Sequence, residues 1–215
     1  PPKGTVLRDG TKVVVHLMEW TNAKDYPKGK ILHILGMAGD KDVDVMSTIY
    51  KFKLPTSFPS AVIAESEAIP VEIPASEIKR RLDLRKTVTF TIDPEDAKDH
   101  DDAISIEEIK EGYRLGVHIA DVSHYVTVGS KLDKEARQRT ASAYLVDRVL
   151  PMLPERLSND LCSLKEKVDR LTMSVMVDLD KSGNVIRYKI HESIIRSHAK
   201  LSYEQVQTYL DTGEG

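Results

Sequence analysis

Residues 91–103 read TIDPEDAKDHDDA and carry six carboxylates and one lysine, a formal charge of −5. An ordered protein seldom tolerates so much like charge in one segment without a counter-charge. Residues 87–92 and 103–107, on either side, alternate apolar and polar side chains as β-strands do. The stretch therefore predicts an acidic loop held between two strands, and our first hypothesis is that a divalent metal ion supplies the counter-charge.

Four aspartates of this loop follow the pattern Asp, five residues, Asp, one residue, Asp-Asp: they are Asp93, Asp99, Asp101 and Asp102. Ligand sets made only of oxygen select hard cations such as Mg²⁺, Mn²⁺ or Ca²⁺ over zinc. An EF-hand calcium loop is excluded, because no glycine stands at the sixth position after Asp93 or Asp99 and no glutamate closes the loop. The chain also lacks a P-loop, a dinucleotide-binding glycine motif and a serine-hydrolase elbow.

Carboxylates that converge on one or two Mg²⁺ ions suit an in-line displacement at phosphorus, because the ions stabilise the attacking and leaving oxygens. The spacing alone leaves two interpretations open. One is metal-dependent hydrolysis of a phosphodiester, and the other is an acidic loop with a structural role.

Composition is typical of a globular protein: 40% of the 215 residues are apolar and 30% are charged. No apolar run is long enough to cross a bilayer, and no signal peptide is visible, so we expect a cytoplasmic protein without a membrane partner. Cys162 is the only cysteine, which excludes an internal disulfide and predicts a buried, inert thiol. The sequence starts without methionine, which suggests that it is a piece of something longer.

The net charge of −3 is unevenly distributed, because the acidic loop alone contributes −5. Net acidity therefore does not exclude a nucleic-acid partner. Residues 79–81 read KRR, and Arg85 and Lys86 follow shortly after. Cations beside a metal site would suit an approaching phosphate backbone, whereas the simpler alternative is a solvated helix face.

The N-terminal part, residues 1–75, is predicted to be all-β, with strands at residues 11–16 and 30–35 separated by Gly, Pro and Asp turns. Such spacing indicates a small barrel or sandwich. His16, Trp20 and Tyr26 either form a stacking surface for bases or belong to an ordinary barrel core and rim. Prolines interrupt residues 54–74, which predicts a linker with a short helix at 60–68.

The remaining residues, 76–215, mix strand and helix patterns. A long strand is predicted from Tyr113 to Val128, followed by a helix from the N-cap Ser130 to Tyr144. Residues 172–180 and 185–197 form a predicted hairpin around a Ser-Gly-Asn turn. Ser202 and Gln205 resemble a capping box that begins a last helix. The fold class is therefore α+β.

Several blocks of the chain, taken together, resemble the ribonuclease II/ribonuclease R family of exoribonucleases. They are IDPEDAKDHDDA (92–103), VHIADVSHY (117–125), YLVDRVLPMLPE (144–155), LSN with LCSL (157–164) and AKLSY (199–203). The blocks stand in the family's order. GKIL (29–32) and the Phe58-Pro59 linker resemble, more weakly, a cold-shock-type OB barrel of the same family.

The resemblance implies an OB-like β-barrel over residues 1–75, which binds RNA, and the N-terminal part of a mixed-sheet catalytic domain with flanking helices over 76–215. It implies hydrolysis of single-stranded RNA from the 3′ end to nucleoside 5′-monophosphates, with Mg²⁺ as the cofactor and Mn²⁺ as an alternative ion. Asp93, Asp99, Asp101 and Asp102 match the family's catalytic and metal-binding aspartates. We expect Asp93 and Asp102 to bind one ion directly, and Asp99 and Asp101 to serve a second ion or to position the attacking water.

Two tyrosines match family residues that contact RNA. Tyr144 matches an aromatic that stacks near the 3′-terminal base, and Tyr203 matches a residue near the ribose, where the 2′-hydroxyl distinguishes RNA from DNA. Both could instead be core residues. His118 and Asp121 are more simply strand-packing residues than ligands.

The family's catalytic domain is longer than the part that matches here, so the resemblance predicts a fragment with an incomplete site. We therefore expect the acidic half of the site with little or no activity, in a protein that is monomeric when complete. The alternative function is a non-catalytic RNA-binding module whose acidic loop folds around a structural cation.

Overall fold

The structure is a computed structural model, and it describes residues 7–22 and 26–213. The chain divides into two compact units. The first comprises residues 1–57 and 141–150, and the second comprises residues 58–140 and 151–215. Each unit is described by itself.

The first unit contains strands, one helix and a short hairpin. Strands β1 (Thr11–Leu17) and β2 (Gly29–Met37) pair antiparallel, and helix α1 (Lys41–Lys51) follows them. Strands β7 (Ala143–Tyr144) and β8 (Val149–Leu150) form the hairpin. The two main strands confirm the prediction, whereas the prediction that residues 1–75 are all-β is wrong.

Helix α1 exists because its apolar positions follow a helical spacing. Val43, Met46 and Ile49 recur every third residue and point toward the rest of the unit; Val43 and Ile49 are buried and Met46 is half-buried. Asp42 in the first turn and Lys51 in the last suit the helix dipole. The three-residue spacing of these apolar positions is therefore typical of a helix rather than of a strand.

The second unit is built around a seven-stranded mixed sheet in the order β11-β4-β5-β6-β9-β10-β3. Pairing is antiparallel between β4, β5, β6, β9 and β10, whereas β11 and β3 add in parallel at the two edges. The bounds of these strands are β3 Leu82–Asp83, β4 Phe90–Asp93, β5 Ala103–Ile109, β6 Gly112–Ala120, β9 Asp169–Asp180, β10 Val185–Arg196 and β11 Ala199–Ser202.

Five helices and one π-helical turn accompany this sheet. They are α2 Ser60–Glu67, α3 Ala75–Arg80, α4 Val122–Tyr125, α5 Lys131–Arg139, the π-helical turn Leu157–Leu161 and α6 Tyr203–Thr212. The predicted helix in the proline-rich linker is confirmed by α2, and the mixed α+β class is confirmed by the whole unit.

Local sequence signals placed several elements correctly. The β9–β10 hairpin turns at Gly183, whose φ of +84° favours glycine, and Asp180 accepts the backbone N–H groups of Ser182 and Asn184, each at 2.8 Å. Ser202 and Gln205 form the predicted capping box of α6. Ser130 caps α5 by accepting the Asp133 N–H at 3.0 Å.

Several element ends differ from the sequence predictions, among them the following three. The strand predicted to run to Val128 ends at Ala120, because the chain turns into α4 after it. The helix predicted to reach Tyr144 ends at Arg139, where Thr140 takes a positive φ of +66°. The strand expected to start at residue 87 starts at Phe90.

A hydrophobic core lies between one face of the sheet and the surrounding segments. Leu132 of α5, Leu157 of the π-helical turn, and Leu164 pack with Ala103 of β5 and Ile195 of β10, each at most 1% exposed. Cys162 belongs to this core, and burial raises the pKa of its thiol to about 12. This agrees with the prediction of a buried, inert thiol.

A chain of buried hydroxyl groups and one imidazole crosses the middle of the sheet. We call it the polar seam; its members are Ser105, His118, Thr172, Ser174 and Ser193, which belong to β5, β6, β9 and β10. The His118 ring nitrogens lie 3.0 Å from Ser105 Oγ and 2.6 Å from Ser174 Oγ. Ser193 Oγ lies 2.7 Å from Thr172 Oγ1 and donates to the Thr172 carbonyl at 3.1 Å. Each member of the seam therefore has a hydrogen-bond partner inside the protein.

Gly116 makes room for this seam. A Cβ at this position would lie 2.3 Å from Ser105 Oγ and 2.7 Å from His118 Nε2. The seam packs His118 so completely that its side chain has no exposed surface, and burial lowers its pKa to about 4. His118 is thus a neutral packing residue, as the sequence predicted.

Candidate active site

The acidic loop begins at the end of β4. Asp93 is the last residue of that strand and is 8% exposed, because β4 lies between β5 and β11. Its Oδ2 lies 3.0 Å from Nδ1 of His100, which is also buried. The loop thus folds back, so that His100 near its end contacts Asp93 at its start.

Residues outside the loop hold its backbone in place. Ser163 Oγ accepts the His100 N–H at 3.1 Å and donates to the Lys98 carbonyl at 2.9 Å. The Leu164 N–H donates to the His100 carbonyl at 2.7 Å. Lys200 of β11 directs its ammonium group toward the carbonyls of Glu95 and Ala97, at 3.2 and 3.4 Å. The strongly acidic loop is therefore ordered by contacts to its backbone.

The surroundings of Asp101 perturb its acidity. Although it is an exposed residue, protein atoms surround its carboxyl group, and Oδ1 accepts the Ala120 N–H at 2.9 Å. Desolvation, followed by repulsion from Asp102, Asp93 and Asp99, raises its pKa to about 6, against the lowering effect of the Ala120 N–H. Asp102, Asp93 and Asp99 therefore lie close enough to Asp101 to act on its carboxyl group. The Asp101–Asp102 peptide bond is cis.

The strand end that supports Asp101 is anchored by a buried ion pair. Asp121, directly after β6, lies 2.6 Å from Arg81 Nη2, and both side chains are at most 3% exposed. Burial would raise the pKa of Asp121, but hydrogen bonds from Ser123 and Arg81 lower it. Such a pair is costly to break, because the remaining charge stays buried without a partner. Asp121 is a supporting residue, as the sequence predicted.

The basic cluster near residue 80 is largely committed to acidic partners. Arg81 is buried and also contacts Glu77 at 2.9 Å. Arg80 contacts Glu77 and Glu192. Arg85 contacts Asp83 and Asp169. The hypothesis that the whole cluster receives a phosphate backbone is therefore wrong for Arg81, whose side chain is only 1% exposed. Lys79 and Lys86 are both exposed.

Tyr203 lies at the same sheet edge as Asp93. Strand β11 runs parallel to β4, and its last residue, Ser202, is the register partner of Asp93. Tyr203 follows as the first residue of α6 and is 56% exposed. Parallel pairing of β11 with β4 therefore brings together two segments that are far apart in the sequence.

Tyr144 belongs to the other compact unit, where it is part of β7 and is 69% exposed. It is therefore a surface residue rather than a core residue. His16, Trp20 and Tyr26, the other candidate stacking residues, are also exposed in the first unit.

The donor chemistry of the loop fits a hard cation, because all four aspartates offer oxygen and three of them repel Asp101. However, across residues 7–22 and 26–213, no group of three or more His, Cys, Asp and Glu side chains is arranged to hold a metal ion. The aspartates are thus neighbours without forming a ready-made ligand set.

The chain matches two protein-family models. A family model described as "RNB domain" matches residues 81–215, and one described as "Cold shock domain" matches residues 1–59. The chain belongs to the RNB-domain family. The first match contains the acidic loop, Tyr144 and Tyr203, and its extent confirms the resemblance seen in the sequence.

Curated relatives of this RNB protein carry the name ribonuclease R. That of Thermotoga maritima is 48% identical over 203 residues, which cover 93% of this chain and 29% of the relative. That of Aquifex aeolicus is 49% identical over 200 residues, which cover 93% of this chain and 28% of the relative. The chain therefore spans less than a third of the length of these relatives.

Solved structures lead to the same family. RNase R of Mycoplasma genitalium, in a complex with double-stranded RNA, matches with a TM-score of 0.91 and 30% identity over 100% of this chain and 38% of that one. Yeast Ssd1, described as a pseudonuclease, has a TM-score of 0.76 over 95% of this chain and 26% of that one; at 23% identity this match shows the fold alone.

His100, Ser163 and Lys200 are the site residues to which sequence reasoning gave no role. All three lie inside blocks that resemble the family, so their positions carried a signal. Their roles depend on contacts to loop carbonyls and to Asp93. Rules based on sequence spacing do not predict such tertiary contacts.

Proposed function

We propose that this chain carries the acidic half of an Mg²⁺-dependent site that hydrolyses RNA from its 3′ end to nucleoside 5′-monophosphates. The observation that carries the proposal is the register of β11 on β4, which sets Ser202 beside Asp93 and Tyr203 next to the acidic loop. Relatives named ribonuclease R, 48% and 49% identical to this chain, support the reaction class.

The four aspartates would have two roles, which are to bind metal ions and to position the attacking water. Asp93 and Asp102 are the proposed direct ligands of one Mg²⁺, for which Mn²⁺ could substitute, and Asp99 and Asp101 would serve a second ion or position the water. When bound, the ion would stabilise charge on the phosphate oxygens and lower the pKa of a bound water. His100, 3.0 Å from Asp93, orients that carboxylate.

The two tyrosines are proposed RNA contacts. Tyr203, exposed beside the loop, would meet the ribose of the terminal nucleotide, where the 2′-hydroxyl distinguishes RNA from DNA. Tyr144 would stack on a base without sequence preference. The RNA complexes reported for Mycoplasma genitalium RNase R support RNA as the partner.

The proposed organisation is a cold-shock-type, RNA-binding barrel within residues 1–75 and the N-terminal part of an RNB catalytic domain within residues 76–215. Both family matches fall inside these limits. A complete protein of this kind is proposed to act as a monomer in the cytoplasm. No helix in the described part of the chain is long and apolar enough to cross a membrane.

The test is a degradation assay on uniformly labelled single-stranded RNA with Mg²⁺. This chain alone is expected to release little or no mononucleotide, and clear release would contradict the proposal of an incomplete site. In the native protein that contains this sequence, Asp101→Asn should abolish hydrolysis and leave RNA binding in place. Unchanged hydrolysis by that variant would reject the assignment of the aspartates.

A second candidate function is a non-catalytic RNA-binding module with a structural cation. Two observations favour it: within the described residues the aspartates do not converge on a metal position, and Asp93 is already paired with His100. A relative from Arabidopsis thaliana that is 38% identical over 93% of this chain is named "Inactive exonuclease DIS3L2". Hydrolysis that is absent from the native protein, with RNA binding intact, would favour this candidate.

A further inference from the structure

The hydroxyl group of Ser163 bridges the two peptide groups that flank Asp99. Its Oγ accepts the His100 N–H at 3.1 Å, and that N–H belongs to the peptide group after Asp99. The same Oγ donates to the Lys98 carbonyl at 2.9 Å, which belongs to the peptide group before Asp99. Because peptide groups are planar, holding both of them restricts φ and ψ of this aspartate.

The next peptide group of the loop is held from the same place. It joins His100 to Asp101, and its carbonyl accepts the Leu164 N–H at 2.7 Å. Two adjacent residues, Ser163 and Leu164, thus hold three consecutive peptide groups between Lys98 and Asp101. This part of the loop contains two of the four aspartates.

Ser163 is itself fixed in the core of its unit. It is fully buried, and its neighbours Cys162 and Leu164 belong to the hydrophobic core. Its carbonyl accepts Nε of the buried Arg170 at 2.9 Å, and Nη2 of the same guanidinium donates to the Asp160 carbonyl at 2.9 Å. Ser163 therefore connects the acidic loop to a rigid part of the fold.

Lys200 also contacts loop carbonyls, but at other places. It reaches the carbonyls of Glu95 and Ala97, at 3.2 and 3.4 Å. Neither of these peptide groups adjoins one of the four aspartates of the site. The Ser163 bonds, unlike those of Lys200, therefore act directly on the backbone of Asp99.

Repulsion within the loop makes such support necessary. Desolvation is the largest cause of the raised pKa of Asp101, and the charges of Asp102, Asp93 and Asp99 add to it. Like charges move apart where the backbone allows it, so a carboxylate stays near others only if its backbone is held. Precise placement of metal ligands also requires support from the residues around them.

From this arrangement, we propose that Ser163 is a positioning residue, whose hydroxyl holds Asp99 where its carboxylate serves a divalent ion or the attacking water. The inference rests on the proposed function, in which Asp99 has one of these two roles. Ser163 acts only through the backbone of Asp99. A purely structural hydroxyl, in contrast, would contribute to stability without a specific effect on ion binding.

The test measures Mn²⁺ affinity of the native protein that contains this sequence, without RNA, from the electron paramagnetic resonance of the free ion. Ser163→Ala removes both hydrogen bonds and should weaken Mn²⁺ binding about ten-fold, and Asp99→Asn should weaken it at least as much. The matched control is Ser66→Ala, which removes an equally buried hydroxyl that donates to the Ile63 carbonyl of its own helix at 2.8 Å. It should change the affinity less than about two-fold.

A double variant shows whether Ser163 acts through Asp99. In the Asp99→Asn background, Ser163→Ala should weaken Mn²⁺ binding by less than about two-fold further, because the carboxylate that it positions is already gone. A purely structural effect would instead add in full to that of Asp99→Asn.

Kinetics on single-stranded RNA give an independent readout. Ser163→Ala should lower kcat about ten-fold and change KM for RNA less than about two-fold, because the proposed RNA contacts Tyr144 and Tyr203 are intact. Ser163→Cys keeps a weaker hydrogen-bonding group and should lie between the wild type and Ser163→Ala. It also replaces Ser163→Ala in every assay if circular dichroism shows that the alanine variant does not fold.

Hydrogen exchange tests the contact without any substitution. In the metal-free wild-type protein, the His100 amide should exchange at least about 100-fold more slowly than in an unfolded chain, because it donates to a buried hydroxyl.

Each contrary result has its own meaning. Normal Mn²⁺ affinity in Ser163→Ala, with weakened affinity in Asp99→Asn, would reject the positioning role and leave the proposed function standing. Equal losses in Ser163→Ala and Ser66→Ala, or full additivity with Asp99→Asn, would show a purely structural hydroxyl. An unprotected His100 amide would remove the contact itself. Normal Mn²⁺ affinity in Asp99→Asn would reject the proposed role of that aspartate, and this inference with it.

Discussion

The polar seam and the acidic loop both bring several polar side chains close together. The seam is electrically neutral, whereas the loop carries several negative charges. In the seam, Ser105, His118 and Ser174 satisfy one another, and the histidine is neutral. In the loop, desolvation, followed by repulsion from the neighbouring carboxylates, raises the pKa of Asp101 to about 6. The seam is complete without any ligand, whereas the loop is stable only to the extent that its backbone contacts offset repulsion. Buried polarity in the first case builds structure, and in the second case it indicates function.

Removing the imidazole from the seam should have the largest effect. His118→Leu deprives the Ser105 hydroxyl of its partner and the Ser174 hydroxyl of one, both in a buried position, so the free energy of unfolding should fall by about 3 kcal/mol. Urea denaturation followed by circular dichroism measures it. The matched control His16→Leu, at an exposed position of the first unit, should change stability by less than about 0.5 kcal/mol. A loss below about 1 kcal/mol for the seam variant would show that the seam is not a satisfied network.

Acid should weaken the same seam. His118 has a folded-state pKa of about 4 against an ordinary value of 6.5, so the unfolded chain binds a proton between these values that the folded chain does not. The contribution of neutral His118 to the free energy of unfolding is fully present above pH 6.5. It decreases as the pH falls toward 4, by up to about 3 kcal/mol. Denaturation at pH 7, 5.5 and 4.5 measures it. His118→Gln should lose this part of the pH dependence; identical slopes for both proteins would contradict the buried, neutral imidazole.

Removing one negative charge from the loop should raise the free energy of unfolding, and by less than the seam variant lowers it. Asp101→Asn keeps an oxygen that accepts the Ala120 N–H and relieves repulsion from three carboxylates. At pH 7 and without divalent ions, it should raise the free energy of unfolding by about 1 kcal/mol, since solvent screens an exposed side chain. Glu108→Gln, on an exposed part of β5, is the control and should be neutral within about 0.5 kcal/mol. A destabilised Asp101→Asn variant would argue that the loop charge is already compensated.

A divalent ion should have the smallest effect on this chain. Millimolar Mg²⁺ is expected to stabilise the wild-type chain by less than about 1 kcal/mol through mass action, seen as a slightly higher melting temperature. The Asp93→Asn/Asp102→Asn double variant should show no such increase, and Mg²⁺ replaced by choline chloride at equal ionic strength controls for screening. An equal shift for the wild type and the double variant would remove the support for these two residues as ligands.

Sequence reasoning succeeded where short-range rules decide the structure. The Ser-Gly-Asn turn between β9 and β10, the capping box at Ser202 and the N-cap at Ser130 are all confirmed, because each depends on residues that are close neighbours in the chain. It failed where neighbours in space decide. The sequence prediction missed helix α1 although Val43, Met46 and Ile49 follow a helical spacing, because three apolar positions are too few to decide between helix and strand without the strands against which the helix packs. The sequence pattern around Arg81 indicates a surface cation, but its buried partner Asp121 stands in a distant block of the sequence.

By itself, the sequence determined an acidic loop between strands, a mixed α+β fold class and a family resemblance that the RNB match confirms. It also predicted six candidate site residues: Asp93, Asp99, Asp101, Asp102, Tyr144 and Tyr203. Only the tertiary structure decided where these residues stand. The parallel pairing of β11 with β4 sets Ser202 beside Asp93, and Tyr203 follows directly, whereas Tyr144 belongs to the other compact unit. The tertiary structure also revealed that His100 contacts Asp93. The physical reason is that strand register arises from contacts between segments that are distant in the chain, which local propensity does not encode.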